Sequence, residues 1–294
     1  MKISIVTATY NRAKLLPKLF ESINMNYKSY KDVEWIIMDD GSEDETKEMV
    51  LKWCLEVKYK IDYHYQKNQG KMQAINNAMK FVNGDIVMEI DSDDYLAFNA
   101  LAMINDDYLN LNDENVYGII YKRKLGKKDI SVKPEMDGKV IKLFDIHNKY
   151  GFDFDMNLTF KADIRKKYSY KLEKNEKFVT EARMYYKMDQ DYDGLLFKDK
   201  VIVIGEYMED GYSKNISKMF KKYPFGYYEY FKECLGYINK DTMFNKKLYF
   251  MKHYILFSYL TKKSMVDCIK EVKGFNKLLI SLLVVPGYIK SSKF

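Results

Sequence analysis

Along the N-terminal part of the chain, short β-branched runs alternate with apolar residues at helical spacing. Ile3 to Thr9 is such a run, after which Leu15, Leu16, Leu19, Phe20 and Ile23 recur as one helix face. Val33 to Met38 is a second apolar run and ends at Asp39-Asp40-Gly41-Ser42. Ser42 and Glu45 stand at capping-box spacing ahead of a helix predicted around Met49 to Val57. Ile61 to Tyr65 predicts a third strand, and Gly70 precedes a helical stretch from Met72 to Val82. Asn83-Gly84 then turns the chain into a fourth strand, Asp85 to Ile90, which ends at Asp91-Ser92-Asp93-Asp94. Strands alternating with helices predict βαβ units, hence an α/β fold with a mostly parallel central sheet flanked by helices. The strands before Asp39 and Asp91 both release acidic clusters at their carboxyl ends, where open α/β sheets bind ligands. No internal repeat is present.

Beyond residue 115 the pattern is mixed, with short strands at Val116 to Tyr121 and Val201 to Ile204 and a helical segment at Phe178 to Met188. From Lys218 to Phe294 the chain is aromatic, basic and helical in pattern. These shifts predict an α/β domain over residues 1–211 and a helical extension over 212–294. Within the extension, Leu248, Phe250, Met251, Ile255 and Leu256 are interleaved with Lys246, Lys247 and Lys252. Such a segment can lie in a membrane interface, pack on the α/β domain or form a dimer contact. The longest apolar stretch, Leu278 to Val285, is interrupted by Ser281 and expected to stop at Pro286-Gly287, too short to cross a bilayer. The N-terminus shows no secretory pattern. The expectation is therefore a cytoplasmic protein, peripheral on the inner face of the cell membrane.

Composition narrows the class. Apolar residues make up 47% of the 294 residues and charged residues 31%, enough apolar material for a sizeable core and against wholesale disorder. The net charge of +7 favours anionic partners such as phosphates or an acidic membrane face, and is modest for a nucleic-acid binder, so no nucleic-acid partner is expected. Cys54, Cys234 and Cys268 form no CxxC pair, which excludes a disulfide scaffold and a structural zinc site and fits a reducing compartment. His64, on a predicted strand, reads as packed or exposed, His147 and His253 have no partner in sequence, and the three histidines support no zinc site.

Asp91, Asp93 and Asp94 repel one another unless a cation is present. They read either as a solvated turn or as ligands for Mg²⁺ or Mn²⁺ held together with a substrate diphosphate. Asp39-Asp40-Gly41-Ser42 reads as a strand-to-helix turn, and a carboxylate there can also accept from a uracil N–H or a ribose hydroxyl. Gly70-Lys71 at a predicted helix start offers free N–H groups and positive potential to a phosphate. Arg183 reads as a surface salt bridge or as a partner for a carboxylate or phosphate.

Thr7-Ala8-Thr9-Tyr10-Asn11-Arg12, Asp39-Asp40-Gly41-Ser42, Asn68-Gln69-Gly70-Lys71 and Asp91-Ser92-Asp93-Asp94, in this order, resemble the motifs of family 2 glycosyltransferases with the type A fold. The resemblance covers residues 1 to 100. It continues less sharply through Asn175 to Glu181 and Asp210-Gly211-Tyr212-Ser213, similar to bacterial enzymes that build capsule, teichoic-acid or exopolysaccharide chains. It implies a nucleotide-diphospho-sugar donor, a glycan or lipid-linked acceptor and a Mn²⁺ or Mg²⁺ cofactor. By the same resemblance Ala8 and Tyr10 line the nucleotide base, Asp39 binds uracil or ribose, and Lys71 approaches the diphosphate. Asp91 meets the ribose or the metal, Asp93 binds the metal directly, and Asp94 is secondary. Glu181 falls where the family carries its catalytic carboxylate, often Glu-Asp, which here reads Glu181-Ala182. The implied activity is inverting sugar transfer with Glu181 as base. The alternatives are a sugar-phosphate nucleotidyltransferase, whose Gly-rich loop after the first strand is absent at Thr7 to Arg12, and a non-catalytic binding protein on the same fold. Donor sugar, acceptor and oligomeric state stay open.

Overall fold

The computed structural model describes residues 1–125, 136–152, 155–174, 176–205 and 216–292. Its elements follow in the order β1 (Ile3–Thr9), α1 (Leu16–Tyr27), β2 (Val33–Asp39), α2 (Thr46–Glu56), β3 (Lys60–Tyr65), α3 (Lys71–Ala78), β4 (Ile86–Glu89), β5 (Tyr95–Leu96), α4 (Ala100–Leu109) and β6 (Val116–Leu125). Then come β7 (Lys139–Ile141), α5 (Leu143–Asn148), β8 (Met156–Lys161), α6 (Ala162–Arg165), α7 (Glu181–Met188) and β9 (Asp193–Gly205). Five helices close the chain: α8 (Ile216–Lys222), α9 (Pro224–Tyr237), α10 (Phe244–Leu260), α11 (Met265–Lys270) and α12 (Gly274–Ser291). The chain forms two compact units, one of Met1–Lys142, Asp153–Ser169 and Met188–Met208, the other of Leu143–Phe152, Tyr170–Lys187 and Glu209–Phe294. The boundary expected near residue 212 and the Asp210 to Ser213 motif lie outside the described residues, as does Asn175.

The first unit holds one sheet in the order β3-β2-β1-β4-β8-β6-β9-β5, with β7 on β9. The expected parallel pairing holds through β3, β2, β1 and β4. Beyond them the sheet is mixed, because β8 inserts antiparallel to both β4 and β6, and β6 then pairs parallel with β9. Trp35, on β2, is fully buried; its indole N–H donates to Thr7 Oγ1 (3.0 Å), and its ring stacks near Trp53 of α2, which stacks in turn on Phe20 of α1 (4.2 Å). Leu16, Leu19 and Ile23 bury the helical stripe of α1 in the same core. One rim of the sheet is tied by a buried charge. Glu34 on β2 accepts from Lys2 Nζ (2.5 Å), Ser4 Oγ (2.6 Å) and the Asn83 N–H (2.8 Å). The next residue must be glycine, since a Cβ on Gly84 would stand 2.6 Å from the Lys2 carbonyl oxygen.

Burial pushes the Glu34 carboxyl up, but the bonds from Lys2, Ser4 and Asn83 outweigh it and hold the group below its ordinary value. A depressed carboxylate stabilises the fold above its unfolded-state pKa, about 4.3 for glutamate, and the gain is lost as pH falls through the folded value. Glu34→Ala is expected to cost about 2–3 kcal/mol at neutral pH, because Ser4 and the Asn83 amide lose a buried acceptor. Urea melts of both proteins from pH 7 to pH 3 check this. The difference between them should shrink toward acid.

Three local expectations are corrected by the structure. The Ser42/Glu45 capping box does not form: α2 starts at Thr46, whose N–H donates to Asp44 Oδ1 (3.1 Å), while the Ser42 hydroxyl accepts from the Asn11 N–H (2.9 Å). The helix predicted from Phe178 starts at Glu181. Ahead of it, the Glu176 carboxylate accepts from the first N–H groups of α9, at Phe225 (2.8 Å) and Gly226 (2.7 Å), and Phe178 packs on Tyr223 and Tyr227. Pro286-Gly287 does not stop the last helix, which runs on to Ser291. Gly287 there allows α12 and α10 to touch, since a Cβ would lie 2.5 Å from Ile255 Cγ2. No helix among the described residues is long and apolar enough to cross a membrane.

Candidate active site

β2, β1 and β4 are parallel neighbours, so their carboxyl ends share one side of the sheet. The loops leaving β1 and β2 are stitched together. Beyond the Asn11–Ser42 bond, the Glu43 N–H donates to Asn11 Oδ1 (2.8 Å) and the Ala13 N–H to Asp44 Oδ2 (3.0 Å). Asn11 takes φ +51°, a left-handed conformation that asparagine tolerates better than most residues.

Asp39 ends β2 fully buried, with Oδ1 accepting from the Ser42 N–H (2.7 Å) and Oδ2 from Tyr63 OH (2.7 Å). Each oxygen keeps one lone pair for a ligand donor. Asp40 turns toward the loop after β3. Its oxygens accept from Gln66 Nε2 (2.7 Å) and from the N–H groups of Gln69 (2.8 Å) and Gly70 (2.7 Å). These bonds fix the residue before α3 and so fix where Lys71 starts. Lys71 Nζ lies 2.6 Å from Asp91 Oδ1, just past β4. Burial raises the Asp91 carboxyl, but Lys71, with Arg123 and Arg12, more than compensates and holds it below the ordinary range.

Asp94 is buried and pairs with Arg123 of β6 (2.5 Å) against Gly205, where a Cβ would stand 2.7 Å from Asp94 Oδ1 and push the pair aside. Burial, with Asp91 and Asp93 close by, pushes the Asp94 carboxyl to about 7 against the pull of Arg123. Asp93 is half-buried and also raised, by burial and then by Asp91. Asp91 and Asp94 thus each pair with a cation, whereas no ion pair to Asp93 forms among the described residues, although Lys71 and Arg12 lie near enough to pull its carboxyl down. No three His, Cys, Asp or Glu side chains among the described residues are grouped to hold a metal by themselves. One carboxylate without an ion pair among the described residues, with a second beside it, suits a hard divalent ion that brings phosphate and water as its other ligands.

Ala8 is half-buried near the end of β1, and Tyr10 is exposed just beyond it. Glu181 belongs to the second unit, where it opens α7 half-buried. Two residues on, Arg183 is buried, which corrects its reading as a surface salt bridge. It donates through Nε and Nη2 to Glu233 of α9 (3.1 and 2.8 Å) and through Nη1 to the Lys171 carbonyl (3.0 Å) and Glu173 (3.1 Å). This network sets the orientation of α7 within its unit.

A family model described as Glycosyl transferase family 2 matches residues 4–200, two thirds of the sequence. The chain belongs to that family. Similar members include the GalNAc(5)-diNAcBac-PP-undecaprenol beta-1,3-glucosyltransferase of Campylobacter jejuni, 30% identical over 141 residues, 47% of this chain and 43% of that protein. The abequosyltransferase RfbV of Salmonella typhimurium is 35% identical over 105 residues, 35% of this chain and 32% of the relative. The chain thus matches less than half the length of these curated family members. Among solved structures, Staphylococcus aureus TarS aligns with a TM-score of 0.64 at 16% identity, covering 99% of this chain and 54% of that one. The mannosyltransferase PcManGT of Pyrobaculum calidifontis, in complex with GDP-Man and Mn²⁺, aligns at 0.58 and 14% identity, covering 99% and 83%. Both show that the family's α/β fold, a central sheet flanked by helices, is present here.

The candidates Asp39, Asp91 and Asp93 lie in the first unit at strand ends, and Lys71 there opens α3 next to the loop that Asp40 holds. Sequence reasoning missed Asp40, Tyr63 and Arg123 as partners of the site. Asp40 was legible only as half of a turn signal, and Arg123 only through pairing remote in sequence. Thr9, in register with Asp39, has a buried hydroxyl with no hydrogen-bond partner among the described residues.

Proposed function

We propose that the protein transfers a sugar, with inversion, from a nucleotide-diphosphate donor to a hydroxyl of a cell-surface glycan or lipid-linked acceptor. The observation that supports this most is the Lys71–Asp91 contact beside Asp93: a cation for the diphosphate and carboxylates for a metal meet at the end of β4. The pyrimidine of UDP fits the remaining lone pairs of Asp39, with Ala8 and Tyr10 along the base. Lys71 exchanges Asp91 for a phosphate oxygen, and the freed Asp91 joins Asp93. Asp93 and Asp91 would hold Mn²⁺ or Mg²⁺. When bound, such an ion supplies Lewis-acid neutralisation of the charge growing on the leaving diphosphate.

Glu181 takes the proton of the acceptor hydroxyl, whose oxygen forms a bond to the anomeric carbon as the bond to the diphosphate breaks on the opposite face. Lys71 meets the negative charge released on the diphosphate. A binding screen tests the reading at its base. UDP with Mn²⁺ is expected to raise the melting temperature by about 5 °C at a concentration near 100 times its dissociation constant. UDP without metal should give less, and GDP less again. No shift with any nucleoside diphosphate and Mn²⁺ would overturn the proposal, and turnover of a sugar 1-phosphate with UTP would favour a nucleotidyltransferase instead.

A further inference from the structure

The second unit ends in a helix that is apolar on both sides. The inner side of α12 buries Ile280, Val284 and Tyr288 and brings Gly287 against Ile255 of α10. The outer side presents Leu278, Leu282, Val285 and Ile289, exposed by 59, 68, 53 and 60%. Their spacing of four, three and four places them in one narrow stripe, about 16 Å long at 1.5 Å per residue. A helix apolar all round is normally covered on all sides.

Charge says what covers it. Residues 216–292 carry 14 lysines, no arginine and 5 acids, whereas the whole chain is only +7, so the excess positive charge is concentrated in these helices. Lys273, Lys277 and Lys290 flank the stripe at its two ends and are exposed. A second copy of the same face would bring these lysines together, like charge against like. A surface both apolar in depth and negative at its rim matches the helix better, and an anionic bilayer is such a surface.

We propose that the outer stripe of α12 docks on an anionic membrane, lying in the interface with its leucines, valine and isoleucine among the acyl chains and the flanking lysines at the headgroups. The helix rests on the bilayer without crossing it. This inference stands apart from the sugar-transfer reading, because it uses none of the residues of the first unit.

Co-sedimentation of the full chain with vesicles tests it. Binding to mixed phosphatidylglycerol and phosphatidylcholine vesicles is expected to exceed binding to phosphatidylcholine alone by about tenfold or more at low salt, and to weaken as salt is raised. The double variant Leu282→Glu, Val285→Glu is expected to bind about 100-fold less, while its circular dichroism and its UDP-dependent melting shift stay as in the parent. Unchanged binding by the variant, or no preference for anionic vesicles, would overturn the inference. So would a dimer in sedimentation velocity that the variant splits, since the stripe would then be a self-contact. A protein that docks but shows no UDP shift keeps this inference and loses the other.

Discussion

Replacing Glu181 by glutamine is expected to lower the rate of sugar transfer by about 10²–10⁴-fold, the usual effect of removing a positioned general base. Donor affinity should not change. Glutamine keeps the size of the side chain and can still accept a hydrogen bond from the acceptor hydroxyl, but it cannot take its proton. The variant should also fold, because Arg183 ties α7 within its unit through Glu233, Glu173 and the Lys171 carbonyl, and glutamine keeps the size and the acceptor of the side chain. Steady-state transfer assays with UDP-sugars give the rate, and calorimetry with UDP gives the affinity. A loss in kcat with UDP binding intact is the signature of a group acting only in the transition state. Turnover near that of the parent would remove Glu181 from the role of base. This matters more than usual here, since Ala182 follows Glu181 and no second carboxylate stands next in sequence.

How far the sequence foretold the molecule depends on whether a feature is local. β1 to β4 were legible because each is a short β-branched run bounded by a turn, with an amphipathic helix following. The ends of β2 and β4 stood out as candidate sites because carboxylates cluster there. The mixed half of the sheet was not, since β5 and β7 are only two and three residues long and nothing in the pattern of β8 announces that it inserts between β4 and β6. The site divides in the same way. Asp91 and Asp93 could be read from spacing, but the partner that neutralises Asp94 is Arg123, 29 residues away. The same holds for Asp40, whose role as anchor of Gly70 depends on a contact between two loops. Ser42 shows the limit from the other side. Its spacing to Glu45 is right for a capping box, yet Asn11 reaches its hydroxyl because β1 and β2 are neighbours. A motif fixes what a residue can do, and the sheet order decides which partner it meets.

Asp93→Ala is expected to have two effects of opposite sign, and together they test the carboxylate cluster. In the protein without ligand it removes a cluster carboxylate that forms no ion pair among the described residues and is raised by burial and by Asp91. Its melting temperature without nucleotide should therefore hold or rise, since a charge that is poorly compensated in the fold costs stability wherever it is ionised. Function should go the other way. Charge neutralisation on a leaving diphosphate is worth several kcal/mol, which at about 1.4 kcal/mol per decade corresponds to a loss of turnover on the order of 10²–10³-fold. The additional melting shift that Mn²⁺ gives to UDP should disappear as well, while the smaller shift from UDP alone remains, because Asp39 and Lys71 are untouched. Under the proposed metal role, like charges kept together at a strand end would be relieved when ligand and cation bind, which trades stability for binding. If the Asp93→Ala protein melts lower than the parent and still answers to Mn²⁺ with UDP, Asp93 is a structural residue and the cation is held elsewhere.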